Sequence, residues 1–240
     1  TYNIVENVRK QVPVKSWENT LVPHGINEKV FFPITKEHED YKDFLKFKDQ
    51  NVINKNVDFI VLWNNRNIRR KLPGDVVLSM KQFVSKLPEE KRDNTLLVMK
   101  TQPIDDNGTD LIEVVKNCAP ELNVLFFAER NDERHMNFIY NMADVTINIA
   151  SNEGFGLGTA ESLMAGTPIV VNVTGGLQDQ CGFRKEDGKL LTKEDYTTEW
   201  GSNHDGKYKD HGEWVKPVWP ACRSLQGSPP TPYIFDDRPK

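Results

Sequence analysis

SNEGFGLGTAESLMAGTPIVV, residues 151–171, sets Gly154, Gly156 and Gly158 between two glutamates, Glu153 and Glu161. A dinucleotide fingerprint, G-x-G-x-x-G, fails here: its third glycine falls on Thr159 when counted from Gly154 and on Glu161 when counted from Gly156. It should also follow the first strand of a sheet, whereas this turn follows the fourth. No Gly-Lys-Ser/Thr closes it, so it is not a P-loop either. What remains is a glycine turn between a buried strand and a helix over about 157–165, with Gly166 as the helix stop and Pro168 opening the next strand, PIVVNV (168–173).

Upstream, the same rhythm repeats. DFIVLW (58–63), TLLVM (95–99), NVLFFA (123–128) and VTINIA (145–150) are short apolar runs of the kind buried parallel strands show. Between them lie stretches of helical spacing: Val76, Val77, Met80, Phe83, Val84 and Leu87; then Leu111, Ile112, Val114 and Val115; then Met136, Ile139, Tyr140 and Met142. Alternating strands and helices imply an α/β, Rossmann-like parallel sheet with helices on both faces. Three parts fall outside that pattern. Residues 1–22 read as a lead-in helix and short strand, 23–195 as the Rossmann-like domain with a solvated helical insertion at 36–56, and 196–240 as an irregular C-terminal extension rich in Gly, Pro, Trp and His.

A helix that starts at the C-terminal end of a parallel strand offers backbone N–H groups and a favourable dipole to anions, in the crevice where open α/β sheets bind ligands. Carboxylates only accept hydrogen bonds, so Glu153 and Glu161 suit a ligand rich in hydroxyls. Anion site and hydroxyl acceptors together point to a nucleotide sugar. Across the crevice, the loop after the first strand reads NNRNIRRK (64–71), with Arg66, Arg69, Arg70 and Lys71 as candidate phosphate ligands. Arg69 and Arg70 also fit a solvated surface, and the three glycines also fit close helix–strand packing.

The bulk numbers agree with an ordinary globular protein. Of 240 residues, 38% are hydrophobic and 28% charged, with a net charge of −4, which gives no sign of nucleic-acid binding. No apolar run approaches a membrane span, and no signal peptide is evident. Cys118, Cys181 and Cys222 are widely spaced and form neither a disulfide framework nor a metal knuckle, so the chain reads as cytoplasmic, with a membrane-peripheral full-length enzyme compatible with that reading. His204, Asp205, Asp210 and His211 fit no metal-ligand spacing, and no metal is expected. Trp200, Trp214 and Trp219 suit packing of the extension more than stacking on a sugar.

Glu153 and Glu161, seven residues apart and followed by AGTPIVV, resemble the E-x7-E motif of retaining glycosyltransferases of the GT-B fold, of the type called family four. VPHGIN (22–27) with Phe32-Pro33 resembles the interdomain entry of that family. Arg66 and Lys71 resemble its phosphate-binding pair, and Met142–Val145 with Ser151 resemble the lead-in to the motif. The resemblance spans about residues 15–192. It implies that Glu153 accepts from donor-sugar hydroxyls, that Gly154, Phe155, Gly156 and Leu157 meet the sugar and diphosphate, and that Glu161 holds the ribose. It also implies that Arg66 and Lys71 neutralise the departing diphosphate, and that the loop Ala128–Arg130, with Arg130, faces the base. Gly25 is expected to form a tight turn near the site, with His24 as either a surface residue or a contact.

No protein nucleophile and no cofactor is implied. The donor would be a UDP- or GDP-type nucleotide diphosphate sugar, the acceptor an unknown sugar, lipid or protein. The sequence departs from the family where Gly175-Gly176 is followed by Leu177, Gln178 and Asp179 rather than by a glutamate at the third place. Because the resemblance covers only the donor-binding domain of that family, the chain resembles the C-terminal, donor-binding half of a two-domain enzyme, partnered by an N-terminal domain of the same enzyme. Two alternatives stand beside this: a nucleotide-sugar-binding module without transfer activity, and a GT-B-fold sugar epimerase.

Overall fold

A computed structural model describes residues 10–11, 22, 24–54, 56–192, 195, 207–228 and 231–239. The chain divides into two compact units, one formed by Ile26–Ile149 with Leu157–Val170, the other by Thr1–Gly25, Ala150–Gly156 and Val171–Lys240. The expected lead-in helix and strand fall almost wholly outside the described residues.

Strands β1 (Phe59–Asn64), β2 (Thr95–Lys100), β3 (Asn123–Phe126), β4 (Val145–Asn148), β5 (Ile169–Asn172) and β6 (Val215–Val218) form a sheet in the order β3-β2-β1-β4-β5-β6. The β1–β2, β1–β4 and β2–β3 pairs are parallel, with Val61 opposite both Leu97 and Val145. Because successive side chains point to opposite faces, a continuous apolar run feeds two cores. Ile60, Leu62, Leu96 and Val98 join one of them, with Phe44, Phe138 and Ile139. Val61, Trp63, Leu97 and Met99 join the other, with Val76, Met80 and Leu111. Each of these large side chains, fully buried, contributes about 1.5–3 kcal/mol.

The helices of the first unit divide the same way. Helices α1 (Tyr41–Asn51) and α5 (Glu133–Asn141) supply Phe44 and Phe138 to the first core, whereas α2 (Pro73–Ser85) and α4 (Leu111–Cys118) supply Val76, Val77 and Leu111 to the second. The short α3 (Glu89–Arg92) buries nothing. Local chemistry fixes the starts: Asp110 caps α4 by accepting from the Glu113 N–H at 3.0 Å, and Asp132 caps α5 by accepting from His135 N–H at 2.8 Å. Helix α6 (Leu157–Met164) stops before Gly166, whose φ of 83° suits glycine. The Rossmann-like α/β architecture matches the sequence reading.

Two expectations are corrected. The charged stretch 36–56 is not a solvated insertion: Phe44 is buried, its ring centroid 5.9 Å from that of Phe138, and Phe47 packs on Phe127 and Phe138. Three aromatics, Tyr41, Phe44 and Phe47, share one face at a spacing of three, and Asp40 and Asp43 beside that face pair with Arg134, whose guanidinium lies 5.1 Å from the Phe138 ring centroid. The extension after 196 is not irregular where it is described. Val215–Val218 adds an edge strand through the Val173 N–H to Val218 carbonyl bond at 2.9 Å, and β7 (Pro220–Ser228) pairs antiparallel with β8 (Thr231–Pro239). The second unit also holds the short α7 (Leu177–Gln180). Among the described residues, no helix is long and apolar enough to cross a membrane.

Candidate functional site

In the first unit the chemistry gathers on the loop that leaves β1. Asn67, wholly buried, is its fastener: Nδ2 donates to the carbonyls of Gln102, Pro103 and Thr109 at 3.4, 3.1 and 2.6 Å, and Oδ1 accepts from Thr109 N–H at 3.2 Å. The Arg69 N–H adds a bond to the Asn107 carbonyl at 3.2 Å. These bonds stitch the loop after β1 to the loop after β2. Buried amides are stable only when so satisfied.

The stitching sets Arg66 beside Asp105. The guanidinium presents Nε and Nη2 to the two carboxylate oxygens at 2.8 and 3.2 Å, a side-on fork, with the Nη1 donors making no bond among the described residues. Asp105 is itself fixed by the Asn107 N–H at 2.9 Å. The Arg66 hydrogen bonds, then that backbone N–H, hold the Asp105 carboxyl below its usual range. Lys71 ends a 3-10 turn, Arg69–Lys71, and is buried, at 6% exposure; Arg69 and Arg70 are exposed, as a surface reading expects.

Glu161 stands on α6. Its Oε2 accepts from the Tyr140 hydroxyl at 2.6 Å, and that hydroxyl accepts from Asn64 Nδ2, also at 2.6 Å. Burial, then the charge of Glu161, pushes the Tyr140 hydroxyl well above the usual tyrosine range, so it remains a donor. Gly158 brings α6 this close: a Cβ there would lie 3.3 Å from the Asn64 carbonyl oxygen and 3.4 Å from the Tyr140 hydroxyl. Glu161, Arg66 and Lys71 thus all belong to the first unit. Leu157, at the start of α6, is 47% exposed.

The loop after β3 carries Arg130, which is exposed. Two carbonyls of that loop are engaged within the unit: Ala128 accepts from Gln102 Nε2 at 2.7 Å, and Glu129 accepts from Lys100. Desolvation lowers the Lys100 pKa.

The second unit contains the glycine turn itself, Ala150–Gly156. Its carbonyls are collected by the chain after β5. Gly176 N–H donates to Glu153 at 2.9 Å, and Gln180 Nε2 donates to Phe155 and Gly156 at 2.6 and 3.0 Å. Only glycine fits at the Gly175-Gly176 pair: a Cβ would come within 2.0 Å of the Glu153 carbonyl oxygen or 2.2 Å of that of Gly154. Gly156 is required by its φ of 88°, whereas Gly154 faces open space. Phe155 stacks at a tilt on His24, with ring centroids 4.9 Å apart, so His24 contacts the turn.

Gly25 does not form the expected tight turn. It has neither a positive φ nor a close neighbour, so nothing there requires glycine. Trp214 and Trp219 pack as expected, the first donating Nε1–H to the Gln180 carbonyl at 3.1 Å, the second 5.5 Å from the Phe183 ring. Trp200, His204 and Asp205 lie outside the described residues, among which no group of three metal-ligating side chains converges.

The sequence reading missed Asn64, Asn67, Asp105, Tyr140 and Gln180. The one available signal was the turn-like run Asp105-Asp-Asn-Gly108, which marks a tight loop beside the strand end.

Comparison with known proteins agrees with this fold. Alpha-monoglucosyldiacylglycerol synthase of Acholeplasma laidlawii is 27% identical over 172 residues, 72% of this chain and 39% of that protein. Sucrose-phosphate synthase from Thermosynechococcus elongatus superposes with a TM-score of 0.54 at 24% identity, over 75% of this chain and 41% of that one. HepE of Anabaena, solved in complex with UDP-glucose, gives 0.56 at 16% identity, over 78% of this chain and 47% of that one. Both structures speak to the fold. The chain spans less than half the length of each of these relatives. A family model described as Glycosyl transferases group 1 matches residues 45–196, well over half of the chain and every element from β1 to α7. The parallel sheet, the glycine turn between β4 and α6 and that match make this chain a member of the glycosyl transferases group 1 family, of the GT-B type.

Proposed function

We propose that this chain is the donor-binding part of a retaining glycosyltransferase, which moves a sugar from a nucleotide diphosphate sugar to an acceptor. The observation that carries the reading is the first unit's pairing of chemistries. A carboxylate held by a buried tyrosine stands on α6, and an oriented guanidinium stands on the loop after β1. The first suits ribose hydroxyls and the second a diphosphate.

In this reading the E-x7-E glutamates divide the donor. Glu161 takes the ribose and Glu153 the sugar hydroxyls, with Gly154, Phe155, Gly156 and Leu157 against the sugar and diphosphate. Arg66 and Lys71 stabilise the negative charge that develops on the leaving diphosphate. The leaving phosphate itself helps to deprotonate the acceptor on the donor's own face, so no protein nucleophile and no cofactor is assigned. The complex of HepE with UDP-glucose favours a UDP-type donor. An N-terminal domain would supply the acceptor side.

Calorimetric titration with UDP, GDP, ADP and their sugar conjugates tests this. Glu161→Ala should weaken plain nucleotide by about 1.5–3 kcal/mol, the value of a hydrogen bond to a charged group. Glu153→Ala should leave plain nucleotide unchanged and weaken only the sugar conjugate. Equal losses on plain nucleotide in both variants would contradict the assignment.

A further inference from the structure

We propose that Tyr140 is a positioning residue for donor recognition, fixing one oxygen of Glu161 so that the remaining carboxylate lone pairs meet the vicinal hydroxyls of a ribose. The inference rests on the donor reading of Glu161 given above. A glutamate on a helix face has three rotatable bonds, and a freely rotating carboxylate recognises a diol poorly because binding must first order it. Here that ordering is done in advance. Tyr140 is 0% exposed, its ring is met edge-on by Phe31 at 5.8 Å, and its carbonyl accepts from the Thr167 hydroxyl at 2.8 Å, so neither its backbone nor its ring is at liberty.

Its hydroxyl has one proton, donated to Glu161 Oε2, and it receives one from Asn64 Nδ2. The direction of the chain is therefore settled: amide to phenol, phenol to carboxylate. An O–H to carboxylate bond of 2.6 Å is of the short, charge-assisted kind. One of the four acceptor sites of Glu161 is consumed, and the carboxylate plane is set by an atom anchored to α5 and, through Asn64, to the end of β1.

The test is calorimetric titration of Tyr140→Phe with UDP and GDP, each against its 2′,3′-dideoxy analogue. The wild type should prefer the ribonucleotide, and Glu161→Ala should abolish that preference. Tyr140→Phe should cut it by about tenfold while leaving dideoxynucleotide affinity at the wild-type value. A purely structural tyrosine would lower both affinities together, and that result overturns the proposal. So does a Tyr140→Phe protein with the full wild-type preference. A wild type indifferent to the ribose hydroxyls overturns the ribose role of Glu161 and the positioning role with it. Discrimination through Glu161 that survives Tyr140→Phe overturns the positioning role alone. Should Tyr140→Phe fail to fold, Asn64→Ala takes its place, because it removes the donor that orients the phenol oxygen. The same partial loss of preference is expected, and an undiminished preference counts against the proposal.

Discussion

Glycines that look alike in sequence do different work in this protein. Gly156 is needed for its backbone angle, Gly158 for the approach of α6 to Asn64 and Tyr140, and Gly176 for the contact of its own backbone with that of Gly154 and Phe155. Gly154 answers to none of these, because a Cβ there meets open space. Urea denaturation of two alanine variants should separate the cases. Gly176→Ala forces a Cβ to within 2.2 Å of a backbone oxygen and should cost about 1–3 kcal/mol, the range for overpacking. Gly154→Ala should stay within about 0.5 kcal/mol of the wild type. Similar losses in both would mean that the turn is constrained as a whole rather than at its contact with Gly176.

Between elements, the two loops at the ends of β1 and β2 act as one piece, fastened by Asn67 and carrying the Arg66–Asp105 fork. Asp105 engages the side of the guanidinium and leaves its Nη1 end directed elsewhere, which is how a carboxylate orients an arginine for a second anion. Asp105→Ala should therefore weaken nucleotide diphosphate binding by about fivefold and leave the nucleoside unaffected, as titration with both would read. Tighter diphosphate binding in the variant would mean that Asp105 competes for Arg66. The sign of the pH effect follows from the lowered pKa of Asp105: the fork is fully formed above the ordinary carboxylate range and is lost only as pH falls through the lowered value. Arg66, Lys71 and Glu161 were legible because cations and carboxylates at strand ends advertise themselves. Asn67, Asp105 and Tyr140 were not, since what each does depends on partners 42, 39 and 21 residues away in sequence.

For the molecule as a whole, β1 to β5 and the helices between them could be read because strands buried on both faces are written as unbroken apolar runs. Helix α1 was misjudged because its lysines and aspartates outnumber its three aromatics, although those three fall on one face. Proline and glycine hid β6, β7 and β8, interrupting the alternation that marks an edge strand. Phe44→Ala should lower stability by about 3–5 kcal/mol, the cost of emptying a buried aromatic site, as measured by chemical denaturation. A loss under about 0.5 kcal/mol, the surface value, would return α1 to the periphery. The loop fastened by Asn67 also bears on how long the protein lasts. Asn107-Gly108 is the kind of dipeptide that closes to a succinimide in a slack chain, when the glycine nitrogen attacks the asparagine side chain. Here the Gly108 N–H is held by the Asp105 carbonyl at 2.9 Å, so the attacking atom is already engaged. A molecule that nonetheless aged to isoaspartate would gain a backbone methylene at position 107, between the N–H that fixes Asp105 and the carbonyl that accepts from the Arg69 N–H. Chemical ageing and loss of the Arg66 fork would then arrive together.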